Sequence, residues 1–208
     1  MTRVVLVRHG RTAWNREARF RGQSDVPLDA FGLKQAEATG HYLATRWPVS
    51  AVYASPLGRT LRTAEILAEA QGVPVHALDG LLDINFGRLQ GLLGTEAAEQ
   101  YPDLYRAWVE APHTVQFPDG ESLSVVSGRV TNGLDQVVAR HQGESVALVS
   151  HTVVNRVLLC RVLGWDTDRF WRMGQETCAV NVFDVEGDGD FTIRLLNSTC
   201  HLQDLGES

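Results

Sequence analysis

The stretch VVLVRHGRTAWN, residues 4–15, opens with four apolar residues in a row and then turns polar. So short a run of Val and Leu, with no polar alternation, is the pattern of a strand covered on both faces in a mainly parallel sheet. Arg8, His9 and Gly10 then fall at the strand's C-terminal end. In open parallel sheets that edge is where loops and helix N-termini bring unpaired backbone N–H groups to a ligand. Position alone therefore singles out His9.

Outward from this stretch the strand-helix unit recurs. Asp29 is placed to cap a helix whose apolar stripe runs through Leu33, Ala36, Gly40, Leu43 and Ala44 towards Trp47 and Pro48. Ala51–Ala54 reads as a second strand. Ser55-Pro56 then opens a helix, with Ser as cap and Pro in the first position, which puts Arg59 in the first turn. Leu61, Ala64, Leu67 and Ala68 continue its buried face, and Gly72 with Pro74 ends it.

The middle, from Leu81 to Gly120, is rich in Gly, Pro and aromatic residues and predicts an excursion with one short helix from Thr95 through Trp108. A helix over 121–142, a third parallel-type strand at Ser145–Val149 and a helix through Leu163 follow. His151 stands after its strand as His9 does after the first. Asn181–Val185 and Phe191–Leu196, separated by EGDGD, close the chain as a hairpin with an Asp-Gly turn. The reading is α/β, a three-layer α/β/α sandwich around a mainly parallel sheet. With no repeat or linker it predicts one domain over residues 1–208, of which 84–120 are partly an excursion.

A chain of 208 residues is long enough to bury its own core. The formal net charge of −6 repels polyanions, and no run of Lys and Arg offsets it, so no nucleic-acid partner is expected. Many arginines instead stand singly beside Gly, Thr or His, where a fork-shaped donor can grip a small oxyanion. Cys160, Cys178 and Cys200 form no CxxC pair, which argues against a disulfide framework or zinc site and fits a cytoplasmic protein. The first apolar run is too brief for a signal-peptide core or a membrane span. No set of His, Cys and carboxylates has metal-ligand spacing, so neither metal nor cofactor is expected. An edge strand or an exposed apolar helix face could support a homodimer.

The densest chemical signal is residues 8–15. A phosphoryl acceptor needs a neutral imidazole nitrogen with cationic donors around the phosphate oxygens. Arg8 beside His9 supplies one and should lower the His9 pKa, keeping the ring neutral. Gly10 would let backbone approach a ligand.

RHGRTAWN resembles the RHG signature of the histidine phosphatase superfamily, which includes cofactor-dependent phosphoglycerate mutases. SPLGRTLRTAEI, DINFGRLQGL and VSHTVVNR match the family's later segments in order. The resemblance implies a phosphoglycerate mutase-like fold and His9 as a nucleophile that becomes a phosphohistidine. It places Arg8, Arg59 and His151 around the phosphate, with Asn15 a further donor. Asp83 stands where many members carry the glutamate that protonates the leaving oxygen. It is one methylene shorter, so its loop must sit closer, and a nearby phosphate dianion would raise its pKa. Arg62 reads as a structural ion-pair residue, and Trp108, Phe117 and Trp165 as core.

The segment between Gly91 and Gly120 lacks the long insertion of the mutases, which favours a phosphatase. YPDLYRAWVEAPHTVQFPDGESLSVVSGRV and the closing STCHLQ look similar to the metal-independent phosphoserine phosphatases, whose C-terminal tail helps recognise substrate. On that resemblance His201 and Leu202 become candidate contacts to the serine portion; Arg21, Gly22 and Gln23, which follow the nucleophile loop, are candidate donors from the rim. The expected activity is metal-independent hydrolysis of a small phosphorylated metabolite, O-phosphoserine first. The alternatives are a mutase-type isomerase and a broad-specificity or sugar-phosphate phosphatase.

Overall fold

The strands of the computed structural model, which describes residues 1–187 and 189–206, are β1 (Thr2–Arg8), β2 (Ala51–Ala54), β3 (Val75–Ala77), β4 (Ser145–Ser150), β5 (Val180–Val185) and β6 (Phe191–Ser198). They form one sheet in the order β3-β2-β4-β1-β5-β6. The first four are mutually parallel; at one side β5 pairs antiparallel with β1, and β6 antiparallel with β5. The sheet is thus mainly parallel, with β1 near its centre, as the unbroken apolar run requires.

Because successive side chains of a strand point to opposite faces, β1 feeds two cores. Val5 and Val7 pack with Ala36 and Leu43 of α2 (Ala30–Arg46), which follows the one-turn α1 (Ala13–Arg16), and with Ala64 and Leu67 of α3 (Gly58–Glu69). Val4 and Leu6 pack on the other side with Val126, Val130 and Leu134 of α6 (Leu123–Arg140) and with Val154, Val157 and Leu158 of α7 (Thr152–Val162). These are the three layers. Val4 to Val7 are each fully buried, worth about 1.5–3 kcal/mol per side chain in water-to-interior transfer.

Asp29 caps α2 by accepting the Gly32 N–H at 2.7 Å. Gly72 at φ +67° ends the turn after α3, in a conformation that favours glycine. Elsewhere the elements differ from expectation for local reasons. The helix carrying Arg59 begins at Gly58 with Leu57 as its cap residue, not at Ser55-Pro56. The excursion holds two helices, α4 (Gly94–Gln100) and α5 (Pro102–Glu110), broken at Tyr101. Pro102 has no N–H to continue the first helix and takes the first position of the second. β3 was not foreseen, being three partly exposed residues whose strand character comes from pairing with Val52–Ala54. The expected hairpin is present, and the Glu186 N–H donates to the Asp190 carbonyl at 2.9 Å. Asp188 of its Asp-Gly turn lies outside the described residues. Among those described, no helix is long and apolar enough to cross a membrane.

Candidate active site

The parallel register sets two histidines side by side. Arg8 of β1 pairs with Ser150 of β4, and the His9 N–H donates to the Ser150 carbonyl at 2.9 Å. The residues that follow the two strands, His9 and His151, therefore leave the sheet together, with ring centroids 5.3 Å apart. β2 lies on the other side of β4, so Ser55 emerges next to them, and its hydroxyl meets His151 Nε2 at 2.9 Å. That contact engages the hydroxyl expected to cap the helix.

His9 Nδ1 lies 2.7 Å from the Gly10 carbonyl, which can only accept, so Nδ1 carries the proton. Nε2 is left with its lone pair, buried and with no hydrogen-bond partner. The close approach that demands glycine at position 10 is to helix α2. A methyl there would sit 2.5 Å from the Gly32 carbonyl oxygen, and one at Gly32 would sit 2.1 Å from the Arg11 carbonyl oxygen. Gly10 thus serves backbone-to-backbone packing against α2.

Around the two rings stand buried cations. Arg59 is fully buried from the first turn of α3, donating to the carbonyls of Gly22 and Ser24 at 2.7 Å each and to Asp83 Oδ2 at 3.2 Å. Arg8 donates to the Gln175 carbonyl, and burial and the neighbouring Arg21 press its pKa down to about 9, so it remains charged at neutral pH. Arg21, expected at the rim, is partly buried in the cavity wall. The Nε atoms of Arg8, Arg21 and Arg59 are all buried without a partner. Three guanidiniums against one buried carboxylate leave an excess of positive charge, which a small oxyanion would neutralise.

Asp83 completes the cluster. Its Oδ2 also lies 3.5 Å from His151 Nδ1, and its Oδ1 accepts the Ile84 N–H at 3.0 Å. Burial raises its pKa against the pull of Arg59 and Arg21, so the protein itself makes the proton easier to hold before any phosphate arrives. His9 is driven the other way, well below the usual 6.5, first by burial and then by Arg59 and Arg8. His151 is lowered likewise by burial, Arg59 and His9. An acid pushed up beside an imidazole pushed down is the arrangement of a donor and a nucleophile.

A cavity of about 360 Å³ adjoins this cluster, lined by Arg8, Asn15, Arg21 and Asp83 on its polar side and by Phe20, Phe86, Trp108 and Trp171 on the other, while His9, His151 and Arg59 are fully buried and do not reach its lining. Asn15 Oδ1 accepts from the Thr12 N–H and hydroxyl at 2.9 and 2.8 Å, which leaves its NH2 group for an oxyanion. Trp108, expected in the core, packs edge-on against Phe86 and Phe117 and still reaches the cavity wall. Arg62 pairs with Glu65 on the exposed side of α3.

The remaining expected residues stand behind or beside the cavity. The Gly22 carbonyl holds Arg59, and Gln23 Nε2 donates to the Asp83 carbonyl at 3.1 Å. His201 stacks on Tyr42 of α2, with Nε2 3.0 Å from the Thr39 hydroxyl. Leu202 lines a separate groove with Arg11, Phe31 and Gln35, and Glu176 lines both that groove and the first cavity. Among the described residues, no three His, Cys, Asp or Glu side chains are grouped closely enough to hold a metal ion.

Sequence reasoning missed Ser55 as a histidine partner, Thr152 and Arg156 at the cavity wall, and Arg129. For Arg129 a signal existed. It sits between Val126 and Val130 on the buried side of a helix, where a charge needs a partner, and Glu121 is close by in the chain.

A family model described as the histidine phosphatase superfamily (branch 1) matches residues 4–199. Phosphoserine phosphatase 1 of Hydrogenobacter thermophilus is 39% identical over 202 residues, spanning 97% of this chain and 95% of that protein. The metal-independent phosphoserine phosphatase of Arabidopsis thaliana is 37% identical over 164 residues, which cover 78% of this chain and 69% of that one. Among solved structures, Bacillus stearothermophilus YhfR superposes with a TM-score of 0.92 at 30% identity, covering 98% of this chain and all of that one. With the two histidines, the buried arginines and the acid gathered on one sheet edge, the chain belongs to the histidine phosphatase superfamily.

Proposed function

We propose that this phosphoric monoester hydrolase acts as a single domain on a small phosphorylated metabolite, O-phosphoserine first, through a phosphohistidine on His9. The observation that carries the reading is His9 Nε2, buried and unpartnered, with its ring fixed by the Gly10 carbonyl and encircled by Arg8, Arg59 and His151. Two relatives named as phosphoserine phosphatases support the choice of substrate.

In the proposed cycle Nε2 attacks phosphorus while Arg8, Arg59, Asn15 and His151 hold the phosphate oxygens. The P–O ester bond breaks, and Asp83 gives its proton to the departing alcohol oxygen. Water then enters, Asp83 as carboxylate takes its proton, and the resulting hydroxide breaks the P–N bond, returning His9 and inorganic phosphate. Gly22 and Gln23 act as supports, through Arg59 and Asp83. His201 and Leu202 act at one remove, seating the C-terminal tail against α2.

The test is phosphate release from O-phosphoserine, phosphothreonine, 3-phosphoglycerate, sugar phosphates and p-nitrophenyl phosphate, in EDTA, for wild type and His9→Ala. Release that is greatest on O-phosphoserine and lost in the variant is expected. A flat, His9-dependent profile would discard the substrate alone. Conversion of 3-phosphoglycerate to its 2-phospho isomer without phosphate release would discard the hydrolase reading.

A further inference from the structure

The acid-bearing segment has no regular structure of its own. A short 3-10 turn covers Asp79–Leu81, and the chain then runs irregularly until Gly87. An aspartate reaches less far than a glutamate, so the backbone at position 83 must be placed within a few tenths of an ångström for its proton to reach an ester oxygen. Something outside the segment has to do the placing.

Arg129, on α6, is built for that. A guanidinium has five N–H donors, and all five are used. Nη1 donates to the carbonyls of Gly80 at 3.0 Å and Leu82 at 2.6 Å, and Nη2 to the carbonyl of Asp83 itself at 3.1 Å. Nε and Nη2 grip the two oxygens of Glu121 at 2.9 and 3.1 Å. Glu121 in turn accepts the Asn85 N–H at 2.8 Å, and its own N–H donates to the Asn85 carbonyl at 2.8 Å. Side chain and backbone of two residues thus hold the segment on both sides of Asp83. Their guanidinium-carboxylate pair is mostly shielded from water, with about a fifth of each side chain exposed.

We propose that Arg129, braced by Glu121, is the positioning residue that sets the reach of Asp83. The proposal rests on Asp83 being the acid. Arg129 does not line the active-site cavity. It fixes the carbonyl row, and its charge lowers the Asp83 pKa against burial.

The experiment compares Arg129→Lys, Glu121→Gln, Asp83→Asn and the double variant Arg129→Lys/Asp83→Asn on an alkyl and an aryl phosphate, O-phosphoserine and p-nitrophenyl phosphate. Lysine keeps the charge but has three donors in place of five and cannot reproduce the fork. Arg129→Lys should lose ~10–100-fold in kcat/KM on the alkyl ester, part of the ~10²–10⁴-fold a general acid supplies, and under about 3-fold on the aryl ester, whose leaving group scarcely needs a proton. In the Asp83→Asn background it should lose nothing further on the alkyl ester. Glu121→Gln should show the same contrast more weakly, and it carries the test if Arg129→Lys does not fold. Equal losses on both esters, or additive losses in the double variant, overturn the proposal. If Asp83→Asn itself shows no contrast between esters, the acid assignment falls and this proposal falls with it.

Discussion

Acidification from pH 7.5 to 5.5 should weaken the fold by an amount that follows from the two active-site histidines. Both are fully buried, and burial together with Arg59 holds their pKa well below the ordinary 6.5. The unfolded chain takes a proton at each near 6.5, whereas the folded chain does not, so the unfolded state gains protons and stability falls as pH drops below that value. Each such site contributes up to about 1.4 kcal/mol per pH unit, hence at most roughly 2.7 kcal/mol for the pair at pH 5.5 relative to 7.5. His201, lowered by burial as well, adds in the same direction. Asp83 opposes them at lower pH, because its raised folded pKa makes the native state take a proton before the unfolded one. Urea unfolding followed by tryptophan fluorescence at pH 7.5, 6.5 and 5.5 measures the slope, and His9→Gln and His151→Gln should each remove about half of it. A stability flat across this range, or slopes unchanged in both variants, would refute the electrostatic description of the pocket.

Other consequences are simpler to check. Gly10→Ala forces a methyl to 2.5 Å from the Gly32 carbonyl oxygen, backbone against backbone, and should cost about 2–3 kcal/mol in urea unfolding with a loss of activity. Inorganic phosphate at 100 times its Kd should raise the unfolding free energy by about 2.7 kcal/mol, an effect that Arg59→Met should abolish. Trp171, 43% exposed and ring-packed on Trp108 and Phe170 at the cavity wall, should matter for binding more than for chemistry. Trp171→Ala is expected to raise KM about 3–10-fold, near 1 kcal/mol of aromatic contact, with kcat little changed.

Much of this was legible in the sequence because parallel strands concentrate their chemistry at one edge. The apolar run before His9 and the matching run before His151 set both histidines at one sheet edge, and the family resemblance singled out Arg59 beside them. What escaped was made by tertiary contact. Ser55 reads locally as a helix cap, and only the neighbouring strand reveals that its hydroxyl belongs to His151. Gly10 reads as room for a ligand, yet Gly32, far off in the chain, is what needs the room. Asp83 is singled out by the family resemblance; the sequence also shows that Arg129 needs a partner on its buried helix face, but not that it reaches carbonyls 46 residues away, which carry no sequence signature. The break at Tyr101 was available in Pro102 and was overridden by the helical spacing on either side.

The central claim, that His9 carries the phosphoryl group, is met most directly by trapping it. Mixing the protein with O-phosphoserine labelled at phosphorus, quenching in alkali within the first turnovers and mapping the label by mass spectrometry should find an acid-labile phosphoryl group on His9, and none in His9→Ala. Phosphate release at full rate with no label on His9, or label on another residue that persists in His9→Ala, would contradict the account.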